Sequence, residues 1–293
     1  MPFQTPLTIQ SVLDRIYSHE YVLPAIQREF AWDTDQVIRL FDSLMRGYPI
    51  GAFLFWNVQP SSDAENDAAR DFVFYGFIRD YHERKAPHCP KLDVPKTRAV
   101  TAILDGQQRL TALNIGLRGS HAEKLPGKWR NNPDAYPVKR LYLNIEGPAP
   151  ENDLGMAYAF AFLTHAEATA KGASWFRVGD IFKFPDVPDI YDYLAEIDLV
   201  ENRLAFRTLS RLHQMVKTDL AISYYDENAQ DLDKVLNIFI RVNSGGTPLS
   251  YSDLLLSIAT AQWRSETHVT RSTAWWTTST PHLSTFGSRR MLS

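Results

Sequence analysis

The sequence predicts an α+β fold: a mixed α/β core in the first half, followed by a mostly helical second half. Three observations carry this expectation. The stretch Ala99-Val-Thr-Ala-Ile-Leu-Asp-Gly-Gln-Gln-Arg-Leu-Thr-Ala-Leu113 joins a short apolar run to a segment of helical spacing through Asp105-Gly106, the pattern of a buried strand turning into a helix. Upstream of it, strand-like and helix-like segments alternate. Beyond Asp180 the apolar residues recur mainly at the helical period.

Taken in order, Leu7 to Tyr17 places Ile9, Val12, Leu13 and Ile16 on one helical face, and Tyr21 to Pro24 reads as a short strand. In Pro24 to Trp32, aromatic residues follow Gln27 and Arg28. Asp33 or Thr34 can cap the next helix, which turns Val37, Ile38, Leu40, Phe41, Leu44 and Met45 inward and stops at Gly47. Tyr48-Pro-Ile-Gly51 leads into a strand over Ala52 to Val58. A polar loop covers Gln59 to Arg70, and Phe72 to Phe77 resembles a strand. Arg79, Arg84, Lys85 and Lys91 mark a mixed, exposed connection, with Ala86 to Thr97 irregular. After the central strand–helix unit, His121 to Pro137 is a second polar, basic loop.

Lys139 to Ile145 alternates as a strand does, with Met156 to Leu163 as its antiparallel neighbour. The cluster Gly147, Pro148 and Pro150 marks a boundary between a core over residues 1–146 and a helical continuation over 147–262. Asp189 to Leu199, Glu201 to Val216 and Leu232 to Val242 read as helices, the last burying Val235, Leu236, Phe239 and Ile240. Leu220 to Tyr225 reads as a strand.

Composition narrows the function. A net charge of −3 over 293 residues provides no global field for nucleic acid, so any phosphate binding must be local. The single cysteine, Cys89, excludes an internal disulfide and a cysteine zinc cluster. No apolar run is long enough to span a bilayer, and Met1-Pro-Phe-Gln-Thr5 lacks the pattern of a secretion signal, so a cytoplasmic location without a membrane partner is expected. The scattered histidines form no metal-binding spacing, there is no Gly-x-Ser-x-Gly elbow, and Ser244-Gly-Gly lacks the ending of a phosphate-binding P-loop.

Three segments can carry chemistry. At Asp105-Gly-Gln-Gln-Arg109 a strand runs into a helix N-terminus, where backbone N–H groups and the helix dipole favour an anion. There Arg109 can fork a phosphate, and Asp105 can hold a metal or orient a water. The alternative is that Asp105 is an N-cap and the polar residues form a solvated first turn. Gln27-Arg28 can present an amide and a guanidinium together, or form a surface turn. In Phe239-Ile-Arg-Val-Asn-Ser-Gly-Gly-Thr-Pro-Leu249, Arg241 and Asn243 can face a ligand gripped by the glycine turn. The alternative is an ordinary helix corner, with Thr247 or Ser250 capping a helix over Tyr251 to Ala261.

Leu23-Pro-Ala-Ile-Gln-Arg-Glu-Phe-Ala-Trp32, Gly47-Tyr-Pro-Ile-Gly51, Leu104-Asp-Gly-Gln-Gln-Arg-Leu-Thr-Ala-Leu113 and the Phe239–Leu249 segment together resemble the N-terminal domain of GmrSD-type restriction endonucleases, over roughly Leu7 to Ala261. The resemblance implies a ParB/sulfiredoxin-like core and a role in defence against phage DNA carrying modified bases or backbones. It further implies binding and hydrolysis of a nucleoside triphosphate with Mg²⁺. On that basis Asp105, Gln108 and Arg109 are the expected catalytic residues, with Asp105 as metal ligand, and Gln27, Arg28, Gln107, Arg241 and Asn243 line the nucleotide site. The implied partners are the nucleotide, modified DNA and a His-Asn-His-type nuclease domain or subunit. No His-Asn-His spacing occurs here, so DNA cleavage is not expected of this chain. A module that senses DNA or nucleotide without turnover is the alternative.

After Gln262 the texture changes to Ser, Thr, Arg and Trp. The resembling family continues with a helix reading approximately Arg-Asp-Glu-Ile-His-Gly-Leu-Val-Asp-Asp-Leu-Asn. Tryptophan has one codon, so reading Trp275-Trp276-Thr277 from the third base forces Val-Asp. Residues 263–293 are therefore expected to be a frameshifted tail on a truncated family member; the alternative is a genuine, divergent, Ser/Thr-rich tail.

Overall fold

The computed structural model describes residues 2–26, 29–60, 73–95, 97–151 and 155–243. Helix α1 (Ile9–Tyr17) is capped by the Thr8 hydroxyl, which accepts from the Ser11 amide at 3.1 Å. Strand β1 (Tyr21–Pro24) follows. Helix α2 (Thr34–Met45) starts on a capping box between Asp33 and Gln36, so Asp33, not Thr34, is the cap. Strands β2 (Phe53–Val58), β3 (Phe74–Tyr75), β4 (Asp80–His82) and β5 (Lys91–Leu92) precede the central unit of β6 (Val100–Asp105) and α3 (Gln107–Arg118).

The remainder is β7 (Ser120–Ala122), β8 (Arg140–Pro148), β9 (Tyr158–Leu163), α4 (His165–Lys171), β10 (Trp175–Arg177), α5 (Val187–Glu196), α6 (Arg203–Lys217), β11 (Tyr224–Glu227) and α7 (Leu232–Asn243). Short 3₁₀ turns lie at Pro133–Ala135 and Val178–Lys183.

A six-stranded mixed sheet runs in the order β11-β2-β6-β1-β3-β5. Strand β1 is parallel to β6, and β11 is parallel to β2, with Tyr224 opposite Phe53. Alternation along the strands sends side chains to two faces. Tyr21, Leu23, Phe53, Phe55 and Ile103 join residues of α1, α2, α3 and α6 in the larger core. Val22, Leu54, Trp56, Ala102 and Leu104 meet Val235, Leu236 and Phe239 of α7 on the other face. Apolar residues on both faces are what make the strands read as near-continuous hydrophobic runs.

Beyond Asp180 the described residues are mostly helical, as their periodicity suggests, while the strands of the second half lie mainly before it. Strands β10-β8-β9 form a sheet of their own, and β11 extends the central one. Strand β10 and helix α4 are too short to show a period. Strand β8 runs on to Pro148, through the start of the Gly147–Pro150 cluster, and residues on both sides of that cluster fill one core from Ile9 to Ile222. Buried Asp42 on α2 ties the halves, its Oδ1 accepting from the Ala157 and Tyr158 amides at 2.9 Å each.

Candidate functional site

Strand β6 ends at Asp105, and the chain turns into α3 through Gly106 at φ +93°. Only glycine fits there: an added Cβ would lie 2.0 Å from the Phe53 ring. Gly106, not Asp105, is therefore the N-cap, and no side chain caps this helix start. The Asp105 carboxylate instead pairs with Arg109 one turn on, at 3.1 Å from Nη2.

The three polar residues that open α3 point to three different places. Gln107 is buried and lines a cleft of ≈ 410 Å³, together with Leu23 and Pro24 of β1, Glu29, Tyr75, His88 and Cys89. Gln108 reaches the loop that follows β1: its Oε1 accepts from the Ala31 amide at 2.9 Å, and its Nε2 donates to the Glu29 carbonyl at 2.8 Å. Arg109 donates to the Ile50 carbonyl at 2.6 Å and the Ala52 carbonyl at 3.0 Å. Its guanidinium also lies over the Phe53 ring, 4.3 Å from the centroid. The fork expected at a phosphate is thus closed on protein oxygens. Burial lowers the Arg109 pKa, and Asp105 opposes that shift.

Gly51, at φ +84°, allows this closure, since a Cβ there would come 2.8 Å from Arg109 Nη1. The Gly47–Gly51 and Asp105–Arg109 segments are therefore two halves of one structural joint.

Gln27 and Arg28 lie outside the described residues, but their neighbours Ile26 and Glu29 belong to this region. Ile26, Leu104 and Phe239, which adjoin or belong to the three singled-out segments, share one apolar cluster. Arg241 is exposed near the end of α7. Asn243 is the last residue of that helix, and its side chain lies outside the description, as do Gly245, Gly246, Thr247, Ser250, the helix expected over Tyr251 to Ala261 and the residue 263–293 tail.

The cleft also holds the His88–Glu29 pair, which sequence reasoning missed. His88 Nδ1 is bonded to the Glu29 carboxylate, and both side chains are exposed. Nothing in their spacing links residues so far apart in the chain. Burial pushes the Cys89 thiol up to about 11, so it stays protonated at neutral pH and is a poor nucleophile.

Among the described residues no group of three His, Cys, Asp or Glu side chains is arranged to hold a metal ion. Asp105 provides one carboxylate, already paired with Arg109. That donor set fits Mg²⁺ only as an ion carried by nucleotide phosphates and water, the usual way Mg²⁺ is bound. Among the described residues no helix is long and apolar enough to cross a membrane.

The family model described as GmrSD restriction endonuclease, N-terminal domain, matches residues 9–260. An uncharacterized protein of Methanocaldococcus jannaschii is 30% identical over 102 residues, which is 35% of this chain and 15% of that protein.

Proposed function

The chain belongs to the family of GmrSD restriction endonuclease N-terminal domains, and from that premise we propose that it is the nucleotide-binding regulatory module of a phage-defence restriction system. The ligand is a nucleoside triphosphate with Mg²⁺, held at the β6–α3 junction on a ParB/sulfiredoxin-like core. The observation that carries this reading is that buried Gln107 lines a cleft beside a helix start that no side chain caps. Such a start favours an anion through its N–H groups and dipole. Asp105 is the residue for the nucleotide's Mg²⁺, which supplies charge neutralisation of the phosphates when bound. Gln108 and Arg109 act as positioning residues, fixing the loops around residues 29–31 and 50–52. Gln27, Arg28, Arg241 and Asn243 complete the nucleotide site. DNA cleavage belongs to a His-Asn-His-type nuclease partner, and the module works in the cytoplasm on modified DNA.

The Asp105–Arg109 pair favours a second reading, a module that binds nucleotide or DNA without turnover, because it occupies the one carboxylate assigned to hydrolysis. Titration with fluorescent triphosphate analogues, followed by phosphate release with and without DNA, separates the two. Saturable binding lost in Gln107→Leu, with phosphate release, supports the hydrolytic reading. Binding without release supports the sensor. No binding removes the cleft as a nucleotide site.

A further inference from the structure

We propose that the two basic loops near residues 82–86 and 123–137 form a nucleic-acid-binding surface around Trp129. The indole is 85% exposed, whereas tryptophan is highly buried on average. The turn that carries it is well built. The Asn132 amide donates to the Trp129 carbonyl at 3.0 Å, and the Tyr136 hydroxyl donates to the Arg130 carbonyl at 3.3 Å. Tyr136 itself is buried and stacked on His82 at 5.1 Å. The exposed ring is therefore held out on a fixed base.

The same contacts join the loops. Strand β4 pairs in parallel with β7, and the chain continues the pairing through the Glu83 amide and the Ala122 carbonyl at 2.9 Å. Arg84 Nη1 then donates to the Arg130 carbonyl at 3.0 Å. This brings Arg84 and Lys85 beside Lys128 and Arg130, all four exposed. Among the described residues none of these four side chains is ion-paired. Of the acids in these loops, Glu83 accepts from the Lys124 amide at 2.7 Å, and Glu123 and Asp134 are not ion-paired with these four side chains among the described residues. Segment 124–130 contains no acidic residue.

Unpaired cations around an exposed aromatic ring match a polyphosphate backbone with stackable bases. An anionic bilayer is the weaker match, because one indole without an amphipathic helix around it buries little apolar area. A chain of net charge −3 needs such a local patch to meet DNA at all. The patch also lies near the cleft: His88 follows Lys85 by three residues, at most roughly 10 Å of chain. The proposal rests on membership of a restriction family, not on nucleotide binding.

The test is anisotropy of a fluorescein-labelled mixed-sequence duplex, and of its single strand, over a range of salt concentrations. The wild-type chain, Lys85→Ala/Lys128→Ala/Arg130→Ala and Trp129→Ala are compared, with co-sedimentation on phosphatidylserine vesicles as the second arm. Each lost phosphate contact should flatten the log–log salt slope by about one unit. Trp129→Ala should weaken single-strand binding about five-fold or more. Circular dichroism and triphosphate-analogue affinity should match wild type in both variants, so a failure here is distinct from a failure at the cleft. Unchanged DNA affinity in the variants, no DNA binding by the wild type, or capture by vesicles in place of DNA would each overturn the proposal.

Discussion

The side-chain amide of Gln108 pairs with the main chain on both sides of Phe30, donating to the Glu29 carbonyl at 2.8 Å and accepting from the Ala31 amide at 2.9 Å. It does for that loop what a neighbouring strand would do, where no strand is paired. Gln108→Leu removes both bonds at once. The freed backbone groups can turn to water, so the expected cost is about 1 kcal/mol. The sharper signature is local: amide exchange at Ala31 should become fast while core amides stay protected. Gln108→Glu keeps the acceptor for Ala31 but sets a carboxylate against the Glu29 carbonyl, so it should not rescue. Slow exchange at Ala31 in Gln108→Leu would show that the loop is held otherwise.

Arg109 is predicted to act through the fold. Arg109→Lys replaces a planar fork on three oxygens by a point charge that cannot reach all of them. We expect a loss of roughly 2 kcal/mol in urea unfolding. Gly51→Ala should cost about 1–2 kcal/mol from its positive φ, plus the clash of its Cβ with Nη1 at 2.8 Å. Because the second cost needs the guanidinium, the double variant should be less destabilised than the sum of the singles. Additivity would mean that Gly51 and Arg109 do not form the joint described here. Full stability of Arg109→Lys with weakened nucleotide binding would return the guanidinium to the phosphate.

Asp105 separates chemistry from architecture. Asp105→Asn keeps an oxygen acceptor for Arg109 Nη2, and it touches no helix cap because Gly106 holds that position. Stability should fall by no more than about 1 kcal/mol. Nucleotide-dependent phosphate release should be lost if the carboxylate orients the nucleotide's metal ion. Melting temperature and phosphate release measured on the same preparation decide it, and retained release would take Asp105 out of the reaction.

What the sequence reveals follows from how far each cause reaches along the chain. Helices α1, α2 and α6 bury one face turn after turn, so Ile9, Val12, Leu13 and Ile16, or Val37, Leu40, Phe41 and Leu44, announce themselves by spacing. Gly106 and Gly51 are visible as turns, yet the reasons that exclude a side chain are Phe53 and Arg109, known only from the fold. Asp105 looked like a cap because caps are local, whereas its partner is set by the glycine conformation beside it. For Gln108 and Arg109 the sequence offers a phosphate site or a solvated first turn, because the oxygens they bind lie in distant loops. Strand β10 and the β4–β7 pair are too short to leave a period. The His88–Glu29 pair has no sequence signal at all.

His121 should make the fold acid-sensitive. The imidazole is 2% exposed, stacked on Tyr81 at 4.7 Å, and its Nδ1 has no hydrogen-bond partner among the described residues. Burial, reinforced by Lys139 and opposed by Asp33 and Glu83, pushes its pKa from 6.5 down to about 4. The neutral ring is therefore the folded form. Above 6.5 neither the folded nor the unfolded chain holds this proton, and the full stability is present. As pH falls from 6.5 towards 4 the unfolded chain takes up a proton that the folded chain refuses, so stability drops. The slope is about 1.4 kcal/mol per pH unit, and the loss is on the order of 3 kcal/mol across the window. Below about 4 this group contributes no further change. His121→Phe keeps an aromatic ring against Tyr81 and removes both the titration and the orphaned nitrogen. Urea midpoints for the two proteins should lie close together near neutral pH and separate in favour of the variant as the buffer is acidified. Parallel pH profiles would place the acid sensitivity elsewhere, in carboxylates whose pKa the fold lowers, such as Glu227, that both proteins share.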